Sequence, residues 1–409
     1  MLFYDQKLLN IKEADSNTKN KLNNEVIPAI KQKMEEQGDF TALKIAFEKE
    51  DLKEIKDFAN FINKNFKHTL VMGIGGSSLG AKTLLNLKHN TNVTVLESID
   101  SNTVEYVFDN LDLKNTAFLT VSKSGKTIEC ISQTLILLKK FEDKFGRDAI
   151  AKQFFFLTED KDSPITQLAK EFGIKTLAHH NKIGGRFSYL SNTALIPACI
   201  AGLDIDAIRQ GAVDTLEYFL NNKENFISEI CCAQDNMFKN GIAENVVMPY
   251  VDRLYFLNEW YRQIWAESLG KGGFGTTPVN AMGTVDQHSQ LQLYIDGPKN
   301  KFFTFILKDK EDNALKIEKT YNKGFDYLKG MSLDDIMKIE SDATIEVLNK
   351  RNLPIRVLQI HKLNERTLSQ ILMQFMLETI VIGMLNNVNP FGQPAVEEKK
   401  LLAKTYYKN

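Results

Sequence analysis

The stretch Thr69 to Leu87, TLVMGIGGSSLGAKTLLNL, decides the fold class of this chain. Residues 69–74 form a short apolar run that is typical of a buried strand, and AKTLLNL at 81–87 has the pattern of a helix. The glycine-rich sequence GGSSLG lies between them and predicts a turn. A strand, a glycine turn and a helix make up half of a βαβ unit.

The same alternation continues along the next hundred residues or so. Further strands are predicted at 93–96, 117–121, 154–157 and 174–177, and helices at 102–111, 127–141 and 165–172. Strands that alternate with helices at this spacing predict a mostly parallel, doubly wound sheet. Ligands of such sheets bind beyond the carboxyl ends of the strands. The sequence NKIGGRFS at 181–188 then interrupts the alternation.

A second, less regular alternating unit follows in the other half of the chain. Helices are predicted at 206–220, 226–239, 260–269, 332–350 and 368–385, with another through His288, and strands at 246–251, 302–307 and 355–360. The region 277–283 is predicted as a loop. The sequence therefore predicts an α/β protein with two doubly wound domains, a helical cover over residues 1–60 and a helical C-terminal tail. The predicted boundaries are 1–200, 201–385 and 386–409.

Composition excludes several classes of function. Basic residues number 51 and acidic residues 52, so the net charge of −1 gives no general attraction for nucleic acid or anionic membranes. No signal peptide is expected at the N-terminus, MLFYDQKLLN. The apolar run 371–385 contains Gln374 and Glu378, which favours a buried helix over a membrane span. The four cysteines have no CxxC spacing, which indicates reduced thiols in the cytoplasm.

Two loops have the composition of anion-binding sites. GIGGSSLG at 73–80 lacks the G-x-G-x-x-G spacing of dinucleotide-binding loops and is weak evidence alone. SKSGKT at 122–127 places hydroxyls, a glycine and two lysines before a helix, which favours phosphate binding. It is not a nucleoside triphosphate loop, because Thr120 stands where that motif has its first glycine. The alternative is a polar turn that only caps the helix through Ser124 or Thr127.

Two more residues are candidates for contacts with an anionic ligand or a reacting group. Arg186 follows two glycines in IGGRFS and is a candidate ligand-binding arginine, although pairing with a buried carboxylate is an alternative. His288 follows a glycine-rich loop, but its context alone favours a core or surface residue. The six histidines include no pair with metal-binding spacing, so we predict no metal site.

The helix WYRQIWAESLGK at 260–271 carries Gln263 and Glu267 on one face, four residues apart. Gly270 is expected to end the helix and to leave the carboxylate at the mouth of a cleft, where it could act as a base. The alternative is a solvated helix end, which is the common environment of glutamate. Gln393 and Lys400 lie seven apart and so share a face of the last helix.

Taken together, these blocks make the chain resemble the glucose-6-phosphate isomerase (phosphoglucose isomerase) family in its short bacterial-type form. The resemblance is carried by GIGGSSLG at 73, SKSGKT at 122, IGGRFS at 183, AESLGK at 266, TVDQHS at 284 and NPFGQPAVEEKK at 389. It implies two sugar-isomerase-type (SIS) domains. It also implies reversible aldose–ketose isomerisation of glucose 6-phosphate and fructose 6-phosphate in glycolysis and gluconeogenesis, by ring opening and a cis-enediolate, with no cofactor.

The resemblance also implies which residues take part. The implied substrate contacts are Gly76, Ser77, Ser122, Lys123 through its backbone, Ser124, Thr127, Gln263 and Gln393. Glu267 is implied as the base that moves a proton between C1 and C2, and Arg186 as the cation beside the enediolate oxygen. His288 and Lys400 are implied in ring opening. In the family the histidine comes from the neighbouring subunit, so a homodimer with shared sites is expected.

The sequence departs from the family pattern at three positions. Lys126 replaces a threonine, and Gly392 and Ala395 replace an acidic residue and a glycine. Two alternatives to this isomerase remain open at this point. One is a sugar-phosphate-binding module without catalysis. The other is an isomerase of broader scope that includes mannose 6-phosphate.

Overall fold

The computed structural model describes residues 2–36, 38–222 and 224–407, which form two compact units. Unit I comprises residues 1–27 and 217–390, and unit II comprises residues 28–216 and 391–409. These limits differ from the predicted boundaries at 200 and 386. One reason lies in unit II, where buried Arg209 donates to the carbonyls of Ile45, Glu48 and Leu190, so that the helix carrying Arg209 belongs with earlier residues.

The strands are mostly short, and most of them match the predicted alternation. In chain order they are β1 (Tyr4–Leu9), β2 (His68–Met72), β3 (Val93–Leu96), β4 (Thr116–Val121), β5 (Phe154–Thr158), β6 (Lys175–Ala178), β7 (Glu244–Pro249), β8 (Thr277–Asn280), β9 (Lys301–Lys308) and β10 (Ile355–Ile360).

The helices differ widely in length. In chain order they are α1 (Ser16–Lys21), α2 (Ile27–Glu35), α3 (Thr41–Lys44), α4 (Glu50–Asn65), α5 (Leu79–Leu85), α6 (Ser101–Asn110), α7 (Ile128–Phe145), α8 (Ile150–Gln153), α9 (Pro164–Phe172), α10 (Asn192–Ile200), α11 (Ile205–Asn221), α12 (Phe226–Lys239), α13 (Tyr255–Leu269), α14 (Leu291–Asp296), α15 (Leu333–Lys350), α16 (Glu365–Leu385) and α17 (Pro394–Tyr406). A π-helical turn, Leu22–Val26, joins α1 to α2.

The sheet of unit II has the strand order β3-β2-β4-β5-β6, and all its pairs are parallel. Its apolar side chains are buried among those of α6 and α7; Phe118, Phe141 and Phe154, for example, contact one another ring to ring. Because every strand runs the same way, the loops that follow β2 and β4 lie at the same edge of the sheet. The predicted doubly wound sheet is confirmed.

The sheet of unit I has the order β1-β10-β9-β7-β8, with β1 antiparallel and the other strands parallel. The prediction of helix for the first residues was wrong at β1, and that of a loop was wrong at β8. Both are edge strands, and only Tyr4 of β1 is buried. β1 pairs with a strand far along the chain and β8 has only four residues, so local periodicity could not show either strand.

Helix α16 is confirmed as a buried helix. The helix is long enough and, with a mean hydropathy of 1.6, apolar enough to cross a membrane. However, 94% of its most apolar 18-residue segment is buried inside the protein. It also carries Glu378, whose fully buried carboxylate pairs with Arg356 of β10 at 2.5 Å. Glutamate and arginine are almost never fully buried unless they are paired, so this ion pair accounts for a charged residue inside the core.

Candidate active site

The first glycine loop lies against the segment that contains Arg186. Residues Gly75–Ser77 form a 3₁₀ turn that begins three residues after the end of β2 at Met72. A Cβ atom on Gly76 would lie 2.3 Å from the carbonyl carbon of Gly185 and 2.6 Å from the nitrogen of Arg186, so only glycine allows this approach. Ser188 Oγ also donates to the Gly76 carbonyl at 3.1 Å. Gly76, Ser77 and Arg186 are therefore brought to one place in unit II.

The second loop is a tight turn before α7. Ser122 is buried and its Oγ donates to Thr127 Oγ1 at 2.9 Å, while the Gly125 N–H donates to the Ser122 carbonyl at 3.0 Å. Ser124 is exposed and its Oγ accepts from the Lys126 N–H at 3.2 Å. The Thr127 side chain makes no capping hydrogen bond to α7. This arrangement leaves the hydroxyl-rich turn at the N-terminus of an 18-residue helix, where a phosphate is favoured.

Lys123 connects this loop to the segment before Arg186. Its Nζ donates to the carbonyls of Asn181 at 2.8 Å and Ile183 at 2.9 Å, and lies 3.6 Å from Glu159 Oε1. Burial lowers the pKa of Lys123, and the neighbouring Glu159 carboxylate opposes that shift. Sequence reasoning missed Glu159, although its position directly after β5, at the edge where ligands bind, was an available signal.

Arg186 meets the start of the C-terminal segment. It is 4% exposed, and its Nη1 donates to Gln393 Oε1 at 3.0 Å while Nη2 donates to the Gly392 carbonyl at 2.8 Å. The rings of Phe187 and Phe391 pack beside this contact with centroids 5.0 Å apart. Gly392, which stands where the family pattern has an acidic residue, has a φ of 67°, a conformation that glycine adopts without strain.

The remaining predicted polar pair lies in unit I, on α13. The apolar face of this helix buries Trp265 and Tyr261, and its last residue is Leu269, as predicted from Gly270. On the other face Gln263 and Glu267 are half-buried, and Gln263 Nε2 donates to Glu267 Oε1 at 3.1 Å. Gln263 Oε1 is buried and has no hydrogen-bond partner among the residues that the structure describes.

Besides Ser124, His288 and Lys400 are predicted site residues with exposed side chains. His288 ends the 3₁₀ turn Val285–His288 in unit I. Lys400 lies on α17 in unit II, where its Nζ pairs with Glu397 at 2.6 Å. Within residues 2–36, 38–222 and 224–407, no hydrogen bond or ion pair joins either side chain to another predicted site residue. Ala395 and Lys126, two of the departures from the family pattern, are exposed as well.

The described part of the chain contains no group of three or more histidine, cysteine, aspartate or glutamate side chains that could hold a metal ion. The cysteines are all free thiols. Burial raises the pKa of Cys130, which lies behind the second loop, to about 12. Such a thiol stays protonated near neutral pH and is not a nucleophile.

Comparison with known proteins decides the family. The model of the family described as phosphoglucose isomerase matches residues 24–409, which is nearly the whole chain. The chain belongs to the phosphoglucose isomerase family.

Relatives in the phosphoglucose isomerase family are similar over most of their length. A glucose-6-phosphate isomerase of Campylobacter jejuni is 33% identical over 351 residues, which cover 83% of this chain and 84% of that protein. A probable glucose-6-phosphate isomerase of Methanococcus maripaludis is 32% identical over 355 residues, which cover 84% of this chain and 79% of that protein.

Solved structures share the phosphoglucose isomerase fold seen here. A hypothetical protein from Thermus thermophilus superimposes with a TM-score of 0.89 at 27% identity, covering 99% of this chain and 100% of that one. A glucose-6-phosphate isomerase from Chlamydia trachomatis gives a TM-score of 0.83 at 20% identity, covering 99% and 88%. The second likeness shows the fold alone.

Proposed function

We propose that this protein catalyses the reversible isomerisation of glucose 6-phosphate and fructose 6-phosphate, the activity for which its relatives in Campylobacter and other organisms are named. The observation that carries the proposal is the half-buried Glu267 carboxylate, which Gln263 holds in place at 3.1 Å. A module that only bound sugar phosphates would have no need for a positioned base.

The phosphate group of the substrate binds the two loops of unit II. Ser122, Ser124 and Thr127 supply hydroxyls, the Lys123 backbone supplies an N–H donor, and Gly76 with Ser77 lies beside them. The N-terminus of α7 adds a favourable dipole. Binding energy from a phosphate that does not react can hold the reacting carbons in position.

Glu267 removes the proton from one of the two carbons and returns it to the other. A partly buried carboxylate is suited to this step because it is poorly solvated and fixed in orientation. Negative charge develops on the oxygen of the enediolate intermediate, and the guanidinium of Arg186 stabilises it. The unpaired Gln263 Oε1 is an acceptor that suits a sugar hydroxyl, and Gln393 contacts the sugar beside Arg186.

His288 and Lys400 open the sugar ring, with His288 supplied by a second copy of the chain. The proposal of a homodimer is supported by α17, which has no buried residue in the single chain and carries exposed apolar side chains. Leu401 is 63% exposed and Tyr406 is 68% exposed. Apolar residues on an unpacked helix are suited to an interface between copies.

The enzyme is expected to need no cofactor and to work in the cytoplasm, within glycolysis and gluconeogenesis. The chemistry supports the first expectation, because proton transfer between neighbouring carbons requires a base and a stabilising cation but no hydride carrier. Free thiols at all four cysteines support a reducing compartment.

The decisive variant is Glu267→Gln, with Glu259→Gln on the same helix as its matched control. We expect turnover of fructose 6-phosphate to fall by about 10²–10⁴-fold or more, because the general base is lost. Exchange of the C2 proton with deuterated solvent, followed by NMR, should stop, while binding of the sugar phosphate in calorimetry stays close to that of the native enzyme. Full turnover by Glu267→Gln would contradict the assignment.

A second assay separates this function from its alternatives. Conversion of fructose 6-phosphate and of mannose 6-phosphate is measured side by side in the presence of a chelator. Equal rates on both substrates would favour the isomerase of broader scope, and binding without any conversion would favour the non-catalytic module. Loss of activity on adding the chelator would contradict the metal-free mechanism.

A further inference from the structure

A cavity of about 530 Å³ lies in unit II against α4. It is bordered by α4, by the residues that follow β5 and β6, and by the start of α10, and none of the predicted site residues lines it. Its walls include the apolar side chains of Ile55, Phe58 and Ile196. We call it the α4 cavity. Its volume falls within the range of small-molecule sites.

His179 lies in the wall of the α4 cavity and is 4% exposed. Its Nδ1 is 2.9 Å from the carbonyl oxygen of His180, and because a carbonyl only accepts, Nδ1 must be the donor. Burial lowers the pKa of His179 to about 4, so the ring is neutral near pH 7. Its Nε2 therefore carries a lone pair, and that atom is buried without a hydrogen-bond partner among the described residues.

Two further acceptors in the same wall lack a donor. Asn192 Nδ2 donates to the Ala178 carbonyl at 2.7 Å, which fixes the amide so that Oδ1 is the unpaired atom. Asp51 Oδ2 accepts from Arg209 at 2.5 Å, and Asp51 Oδ1 is buried without a partner in the ranges the structure describes. Buried polar atoms are nearly always paired. Three unpaired acceptors around one cavity call for a molecule that brings N–H or O–H donors.

The charge at the rim of the cavity favours a cation among such molecules. Glu54 and Asp160 are exposed lining residues, and the described residues form no ion pair with either. Of the four carboxylates that line the cavity, two already have a cation, since Lys161 pairs with Glu159 and Arg209 with Asp51. The cavity therefore keeps an excess of negative charge that a bound cation would neutralise.

We propose that the α4 cavity binds a small organic cation with an amine or guanidine group at each end of an aliphatic chain. One end donates to His179, Asn192 and Asp51. The chain lies along the apolar wall, and the charge of the other end is stabilised at the rim by Glu54 and Asp160. The proposed isomerase activity uses none of these residues, so this inference stands or falls independently of it.

The test uses agmatine, which has a guanidine and an amine at opposite ends of a four-carbon chain, titrated into the whole protein in a low-salt buffer by calorimetry. We expect saturable binding of one agmatine per chain. His179→Phe should weaken it by about tenfold or more, because one acceptor of a charged donor is lost. In the native protein, long-range ¹H–¹⁵N spectra should show the Nε2 resonance of His179 moving on titration.

A second variant leaves the interior unchanged. Glu54→Gln combined with Asp160→Asn alters only exposed side chains. This double variant should lower the affinity for agmatine by about tenfold and should make that affinity less dependent on salt concentration. Glu105→Gln, an exposed glutamate on α6, is the matched control and should bind agmatine normally. Neutral 1,4-butanediol should not bind.

Four results would each overturn the inference. The first is a lack of saturable binding by agmatine. The second is an unchanged affinity in both the His179 variant and the rim variant. The third is an equal weakening in the Glu105 control, which would reveal general attraction of a cation to an acidic surface. Binding of butanediol as tight as that of agmatine would remove the requirement for charge.

Discussion

The buried ion pair between Arg356 and Glu378 should control the stability of unit I. Both side chains are 0% exposed, and Glu378 Oε1 lies 2.5 Å from Arg356 Nη1. Gln374 donates to the same carboxylate oxygen at 2.7 Å, and Arg356 Nε donates to Thr304 at 3.2 Å. Replacing Glu378 with leucine removes the charge that compensates the guanidinium but leaves the guanidinium buried.

The expected loss can be estimated from this geometry. Removing one partner of a fully buried pair costs about 3–5 kcal/mol, because the other charge stays desolvated. For a unit of this size, about 2–4 °C of melting temperature is lost per kcal/mol, so the melting temperature of Glu378→Leu should fall by about 6–20 °C. Arg356→Met combined with Glu378→Leu removes both charges and should recover most of this loss.

The assay exploits the position of the tryptophans. The chain has two, Trp260 and Trp265, both buried on α13 of unit I, so their fluorescence reports the unfolding of that unit. Urea titrations of the native protein, Glu378→Leu, Arg356→Met and the double variant make up a double-mutant cycle, which gives the coupling free energy between the two side chains. Glu346→Gln, which breaks an exposed pair with Lys350 in unit I, is the control and should cost at most about 1 kcal/mol.

Two outcomes would refute this reasoning about the pair. The first is a free energy of unfolding for Glu378→Leu within about 1 kcal/mol of that of the native protein, which would mean that water or another group compensates the charge of Arg356. The second is that the double variant is no more stable than Glu378→Leu, which would mean that the loss comes from packing and not from an unpaired charge.

Three further predictions concern a loop, a lysine and a titration. Gly76→Ala should weaken inorganic phosphate as an inhibitor by about tenfold, because its Cβ would lie 2.3 Å from the backbone of Gly185; unchanged inhibition would contradict this. Lys400→Ala should slow cyclic substrate more than open-chain substrate, and an equal loss on both would remove it from ring opening. Hydrogen bonds to Asp309 and Asp5 raise the pKa of His361 in the folded protein. The contribution of His361 to the free energy of unfolding is therefore fully present below the pKa of the unfolded chain, and it is lost as the pH rises through the folded pKa. The destabilisation by His361→Ala, about 0.2–1 kcal/mol at this exposed site, should therefore be larger at pH 6 than at pH 9, and denaturant titrations at both would check it.

Much of the fold was predictable because most elements are specified locally. The bounds of β3, β10 and α12 agree with the predicted ones, since each has a clear apolar period and a sharp end. The edge strands β1 and β8 were not predictable in this way. Their conformation depends on hydrogen bonds to strands elsewhere in the chain, and such pairing leaves no pattern within a window of a few residues.

The candidate site shows the same division between local and tertiary information. The glycines and hydroxyls of the two loops were visible because tight turns demand those residue types. The close approach of Gly76 to Gly185, and the pairing of Lys123 with Glu159, exist only once distant segments meet in the folded unit. For the same reason no sequence pattern indicated the α4 cavity, whose acceptors come from α4, α10 and the end of β6.

The pairing of β1 with β10 affects the order in which the chain can fold during synthesis. The sheet of unit II is complete once residue 178 has been made, because its strands follow one another between 68 and 178. Unit I must instead wait, since Tyr4 on β1 pairs with Ile360 on β10, near the other end of the chain. While the ribosome makes the intervening chain, β1 remains an unpaired strand, the kind of segment that aggregates or recruits chaperones. We therefore expect unit II to fold first on the ribosome and the sheet of unit I to close only near release.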